Sequence, residues 1–318
     1  MIFRRSRGYL VLFLAIVTTI NTSFGQKFTK MGAVGFSIGT SNFMGDLGGS
    51  RNIGRPFIYD LDIQATRPAI SVFYKYHLNP FISFKGEFAF TQLVGDDAFN
   101  KAEFFEDRSY TRRYRNLNFR SPVISLGAMA ELTLYNYEPG NIDNYKVAPF
   151  VGIGGGMFWF DPRTDDPLNG NRVRLQPLGT EGQGLDGFNK KYSLFQPQLL
   201  GSAGIKFNAG PMLAMTIEVI YHQTFTDYID DVSQKFVDPA IFFANYDPAT
   251  AALVSRLHNR SGELGLPPDP ALTKITRPGE IRGDETDRDQ FFRVQASFMV
   301  LLGVKKARAF NMYRCPVW

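Results

Sequence analysis

The sequence predicts an all-β fold: an eight-stranded antiparallel transmembrane β-barrel with long extracellular loops and short periplasmic turns. Three observations predict it. Apolar residues recur at every second position in eight segments, each clean segment carries one continuous apolar face, and short and long connections alternate along the chain. An apolar face of about ten tilted residues matches the hydrocarbon layer of a bilayer. Closure into a barrel is the way to place strands in lipid without an unpaired edge.

Residues 1–25 read as a secretory signal peptide. Arg4, Arg5 and Arg7 precede the apolar run Tyr9–Ile20, and the small residues Ser23 and Gly25 precede a cut before Gln26. The apolar run is shorter than the roughly 17–25 residues a spanning helix needs, which disfavours a membrane anchor. The barrel is expected over 26–303 and a periplasmic C-terminal tail over 304–318. The single cysteine, Cys315, lies far from the cut, so neither a lipid-acceptor cysteine there, nor a disulfide, nor a thiolate zinc site is expected. No cofactor is expected.

The net charge of +5 includes the three leader arginines, which leaves +2 beyond them. No extended Lys/Arg-rich block stands out beyond the short Lys305-Lys306-Ala307-Arg308 tail, so nucleic acid is not an expected partner. The 30 Phe, 14 Tyr and 30 Gly suit β-structure with aromatic interfaces.

The alternation is clearest at 81–90, 122–134, 213–224 and 292–302, and weaker at 31–40, 68–77, 147–160 and 194–207. In 213–224, for example, Leu213, Met215, Ile217, Val219 and Tyr221 alternate with Ala214, Thr216, Glu218, Ile220, His222 and Thr224. Short turns fall at His77–Pro80, Tyr137–Tyr145 and Asn208–Pro211. Long connections fall at 41–66, 92–112, 161–192 and 226–287. The Pro267-Pro268-Asp269-Pro270 and Arg277-Pro278-Gly279 stretches argue against regular strand in the last loop. A soluble β-sandwich would alternate in the same way. The size of the apolar faces and the loop rule favour the barrel. An exported N-terminus begins in the periplasm, so both termini are expected there and the long loops outside.

With the apolar faces in lipid, Lys75, Lys85, Glu87, Glu131, Lys206, Glu218, His222 and Arg293 share the interior. Eight strands enclose only enough room for side chains. Four cations facing three carboxylates and one histidine can pair, so a satisfied plug is expected in place of a conducting pore. Glu218 and His222 lie four apart on one face, but no G-x-S-x-G elbow supplies a nucleophile for a hydrolase. Gly152-Ile153-Gly154-Gly155-Gly156 departs from a phosphate-binding pattern at Met157 and precedes no helix, so curvature and close packing are the expected roles. The acidic groups Asp227, Asp230, Asp231 and Asp284, Glu285, Asp287, Asp289 lack calcium-loop spacing and are expected to be solvated turn residues. Asn259-Arg260-Ser261 matches a sequon of the kind that arises by chance.

Two segments carry more than periodicity. Ser41-Asn42-Phe43-Met44-Gly45-Asp46-Leu47-Gly48 closes the first strand, and Thr226-Asp227-Tyr228-Ile229-Asp230-Asp231-Val232-Ser233 follows the seventh. Gly45 and Gly48 allow a tight backbone, and the Asp side chains can accept amide hydrogen bonds. Both segments resemble signatures of the PorG-like outer-membrane barrels of the type IX secretion system, with the second the more specific. The resemblance spans roughly residues 26–303 and includes the order of elements and the Leu302-Gly303 step. It implies a non-enzymatic protein of the cell outer membrane that links that membrane to a periplasmic ring of PorK- and PorN-type proteins (GldK and GldN in gliding relatives). Outer-membrane lipid and that ring are the expected partners, with the periplasmic turns and the tail 304–318 as contact surfaces. Two other classes stay open: a small channel or lipid-active barrel enzyme, and a soluble periplasmic β-protein.

Overall fold

Alternation of the kind described above builds a closed barrel. The structure, a computed structural model, describes residues 31–47, 63–99, 108–141, 147–263 and 272–302. The expected leader, the tail 304–318, Gly48 and Cys315 lie outside the described residues.

Eight strands form the wall: β1 (Met31–Met44), β2 (Arg67–His77), β3 (Ile82–Asp96), β4 (Asn118–Thr133), β5 (Val147–Phe160), β8 (Phe195–Asn208), β9 (Leu213–Thr224) and β10 (Gln290–Leu302). Each pairs antiparallel with its chain neighbour, and β1 pairs with β10 to close the ring. The short strands β6 (Arg163–Asp165) and β7 (Arg172–Arg174) form a hairpin, joined to β4 through Arg120 and Arg163.

Strand register carries the apolar faces into a continuous outer belt. One row runs Ile38, Ile70, Phe90, Ile124, Trp159, Phe195 across six strands. The next row runs Phe36, Val72, Phe88, Leu126, Met157. Leu126 is 63% exposed and Ile153 75%, although both sit in the middle of regular strands. An apolar surface that large around a single chain calls for a hydrocarbon solvent. Among the described residues no helix is long and apolar enough to cross a membrane.

The long connections are not featureless. β3 and β4 rise further than the alternation marked, to Asp96 and from Asn118, and helices fill part of the loops. These are α1 (Arg108–Arg115), α2 (Pro239–Asn245), α3 (Pro248–His258) and α4 (Leu272–Ile275). Short helices are therefore part of the loops, where the period-two alternation marked nothing. Asp238 and Asp247 cap the amides of α2 and α3, and the proline that follows each starts the helix with a preset φ. Above the barrel mouth the loops pack a core of their own, in which Leu47, Leu93, Phe119, Phe158, Ile229, Val232 and Phe291 are buried together.

Candidate functional site

Eight ionisable side chains point inward because they occupy the polar positions of the alternation, and the ring leaves them no route to water. Lys75, Lys85, Glu87, Glu131, Lys206, Glu218, His222 and Arg293 are each at most 4% exposed. Towards the short-turn end, Glu131 receives Lys75 and Lys206, both at 2.9 Å. Lys206 also donates to Ser83 Oγ at 3.1 Å and Thr133 Oγ1 at 2.9 Å, and lies 4.7 Å from the centre of the Phe150 ring. Higher up, Lys85 bridges Glu87 and Glu218, both at 2.6 Å. Arg293 pairs with Glu87, and Gln295 donates to Glu87 at 3.1 Å and to Glu218 at 3.0 Å.

His222 closes this stack. Its Nε2 accepts from Arg293 Nε at 3.0 Å and its Nδ1 lies 2.7 Å from Gln198 Oε1, so the neutral tautomer with the proton on Nδ1 satisfies both contacts. Its ring stacks on Phe291 with centroids 4.0 Å apart. Both ring nitrogens are engaged, so neither is available to activate a serine. Gln198, Gln295, Ser83 and Thr133 belong to the same network and were missed at the sequence level; their inward parity on recognised strands could have revealed them.

Glycines on the inward face let strands and side chains approach closely. A Cβ at Gly154 would lie 2.1 Å from the Ala128 carbonyl oxygen, and one at Gly127 would lie 2.5 Å from Leu200 Cδ1. The glycine run of β5 therefore permits close approach to β4.

Above the mouth, the two motif segments meet. Leu47 N donates to Asp230 Oδ2 at 3.1 Å, Ile229 N to Asp289 Oδ2 at 2.7 Å, and Asp284 N to Asp46 Oδ2 at 2.7 Å. Asp231, in the left-handed region at φ 67°, accepts from Thr180 at 2.5 Å and Tyr192 at 2.6 Å. Ser41 and Asn42 are buried at the end of β1: Ser41 donates to the Gln92 carbonyl at 2.9 Å, and Asn42 Nδ2 donates to Thr66 Oγ1 at 3.1 Å. Tyr228 N donates to Thr226 Oγ1 at 3.2 Å. Gly45 leaves space that a Cβ would take from Asp289, whose Oδ1 would be 2.2 Å away.

The expectation of solvated turn carboxylates is corrected for part of these groups. Asp230, Asp231 and Asp289 are at most 1% exposed and Asp227 is 9% exposed, whereas Asp284, Glu285 and Asp287 do face solvent. The loops fold back over the mouth and exclude water, which turns the acidic pattern into a buried cluster. Burial pushes the Asp227 carboxyl up to about 8 and that of Asp231 to about 6, the latter opposed by Arg282. Burial and the neighbouring carboxylates also raise Asp230 and Asp289 well above the usual carboxylate range.

Two guanidinium groups tie the loops around this cluster. Arg115 pairs with Asp97 at 2.8 Å and donates to the carbonyls of Asp46 and Arg282. Arg282 in turn reaches Glu181 Oε1 and the Asp231 carbonyl, both at 2.7 Å. Among the described residues no group of three His, Cys, Asp or Glu side chains is arranged to hold a metal ion. A cleft of about 770 Å³ lies in the loops beside Phe188, Val237 and Ile281.

The family described as a domain of unknown function, DUF6089, matches residues 9–174. No curated protein matches the sequence. Among solved structures, the chain is similar to Ail, the attachment invasion locus protein of Yersinia pestis, crystallised with the heparin analogue sucrose octasulfate. That likeness has 12% identity and a TM-score of 0.34, and covers 85% of this chain and 99% of that one. It is also similar to Neisserial surface protein A, with 9% identity, a TM-score of 0.36, and coverage of 86% and 98%. A third is the N-terminal β-barrel domain of OprF from Pseudomonas aeruginosa, with 8% identity, a TM-score of 0.31, and coverage of 87% and 100%. Likenesses this distant say nothing of activity, and the fold rests on the strand pairings themselves.

Proposed function

The chain belongs to the DUF6089 family, and we propose that this member is a non-enzymatic outer-membrane barrel that anchors a periplasmic ring in a type IX protein-secretion machine. The observation that carries the reading is the filled interior. From the Glu131 triad to the His222–Phe291 stack, paired charges and rings occupy the lumen, and the loop core lies over its mouth. A barrel packed in this way is a rigid post, so its work falls to its outer surfaces and ends. The resemblance of the 41–48 and 226–233 segments to PorG-like signatures supplies the partner, a ring of PorK- and PorN-type proteins.

In this reading the apolar belt sits in outer-membrane lipid, the long loops face outward, and both termini and the short turns face the periplasm. The turn 136–145 and the tail 304–318 make the contacts; the tail and residues 142–146 lie outside the described residues. Co-purification of the full chain from outer-membrane extracts tests this. Recovery of the ring proteins, and their loss when 304–318 is deleted together with the 136–145 turn, is expected. A membrane-inserted full chain that recovers no ring proteins refutes the anchoring role, and persistence of the ring after both deletions refutes the contact surfaces. Single-channel current steps or lipid turnover from the refolded protein would favour the channel or lipid-enzyme alternative.

A further inference from the structure

The wall formed by β3, β4, β6 and β7 stands above the belt, and its outer face is basic where strand register should discourage it. Register places Val94, Arg120, Arg163 and Arg174 side by side in one row across the four strands. The neighbouring row places Asp96 beside Asn118, and Asp165 beside Arg172. Like charges directly opposite one another on a sheet are destabilising unless an anion lies between them.

Among the described residues, carboxylates answer only part of this charge. Asp161 takes both Arg163, at 2.6 Å, and Arg174, at 2.8 Å, and Asp165 takes Arg172 at 3.2 Å. Arg67 donates to the backbone carbonyls of Gln64 and Thr66, both at 2.8 Å. The Arg120 side chain has no hydrogen-bond or ion-pair partner among the described residues. Arg67, Arg120, Arg163 and Arg172 line one small cleft of about 140 Å³ together with Thr164 and Asn118. Among the described residues, five guanidinium groups therefore meet three carboxylates, Asp96, Asp161 and Asp165, and the surplus is centred on the cleft.

Its height selects the ligand. Arg120 lies four residues beyond Ile124 on the outward face of β4, in the direction away from the short turns. At about 3.3 Å per residue and a tilt of about 40°, that is about 10 Å above the row Phe90, Ile124, Trp159. The outward apolar face runs from Leu134 to Ile124, about 25 Å at the same rise and tilt, which accounts for the whole apolar band, so headgroups occupy the depth of Arg120. A phosphate monoester there meets forked donors that match its oxygens. The geometry points to a binding site, centred on Arg120 with Arg67, Arg163 and Arg172, for a phosphorylated lipid headgroup of the outer leaflet. This inference rests on the orientation proposed above, with the long loops outward.

The full chain, folded in detergent micelles, is titrated with diphosphorylated lipid A, with the same lipid dephosphorylated, and with inorganic phosphate. The phosphorylated lipid is expected to bind about tenfold tighter than the dephosphorylated one. Arg120→Gln should remove most of that preference, high salt should weaken it, and inorganic phosphate should not compete. Because Arg120 has no described partner, the variant should keep the barrel, which heat-modifiable gel mobility verifies. Unchanged affinity in a folded Arg120→Gln protein, or equal binding of the two lipids, overturns the site. Inorganic phosphate that binds as tightly as the lipid makes the occupant a free anion and overturns the lipid assignment. Failure of the membrane reading is distinguishable: the protein would then stay monodisperse without detergent.

Discussion

Replacing Glu131 by Gln isolates the interior charge pairing. Glu131 holds Lys75 and Lys206, each at 2.9 Å, and all three side chains are at most 1% exposed. At an effective dielectric of about 20, a charge pair at that distance carries about 6 kcal/mol of gross attraction, most of it offset by lost hydration. Removing the carboxylate leaves two ammonium groups repelling each other beside Phe150, with Ser83 and Thr133 as the remaining acceptors for Lys206. Breaking a buried pair in this way typically costs about 3–5 kcal/mol, and two stranded cations place the loss at the upper end. Urea titration of the vesicle-reconstituted protein, read by the mobility difference between folded and unfolded barrel, measures it. The exposed pair Arg172–Asp165 provides the internal control, since its disruption should cost under about 1 kcal/mol. A Glu131→Gln loss as small as that control would refute the claim that the interior is dry and charge-paired.

Loop-cap stability should fall as pH rises. The folded Asp227 carboxyl titrates at about 8 and an unfolded one near 4, so between those values only the folded state holds the proton, and stability drops until it levels above about pH 8. Protease sensitivity of the long loops should accordingly increase from pH 5 to pH 8, and Asp227→Asn should flatten that slope; an unchanged slope in the variant refutes the assignment. Asp231, at about 6, should contribute a share that is complete near pH 6. Gly154→Val should disrupt β4–β5 pairing because its Cβ would meet the Ala128 carbonyl. The expected loss is about 2 kcal/mol or more in the same urea assay, and a neutral result would contradict the close approach of the two strands.

Period-two alternation made the wall legible because a lipid-facing and a lumen-facing side chain must alternate on every strand. The strand segments read from the sequence coincide with the observed ones to within a few residues, apart from the upward extensions of β1, β3 and β4. Those extensions leave the bilayer, where the outer face no longer has to be apolar, as Gln92 and Arg120 illustrate, and the pattern fades. Asp238-Pro239 and Asp247-Pro248 are N-cap signals for α2 and α3, but helices of seven and eleven residues offer too short an apolar period to stand out within a long loop. The burial of Asp227, Asp230, Asp231 and Asp289 depends on contacts between loops far apart in sequence. Leu47 with Asp230 and Ile229 with Asp289 are examples, and no local pattern carries them. Likewise, the lumen residues were identified by parity on their strands, but their partners depend on closure of the ring.

Depth-resolved quenching by lipids brominated on their acyl chains tests the lipid-facing belt most directly. In a background with Trp159 and Trp318 changed to Phe, a single tryptophan is placed by Leu126→Trp, within the exposed belt, or by Met129→Trp, which faces the lumen and is 3% exposed in the native side chain. Strong quenching at 126 with little at 129 is the expected result. Quenching at neither position, or at 129 in preference to 126, would contradict a hydrocarbon-facing ring around a filled interior.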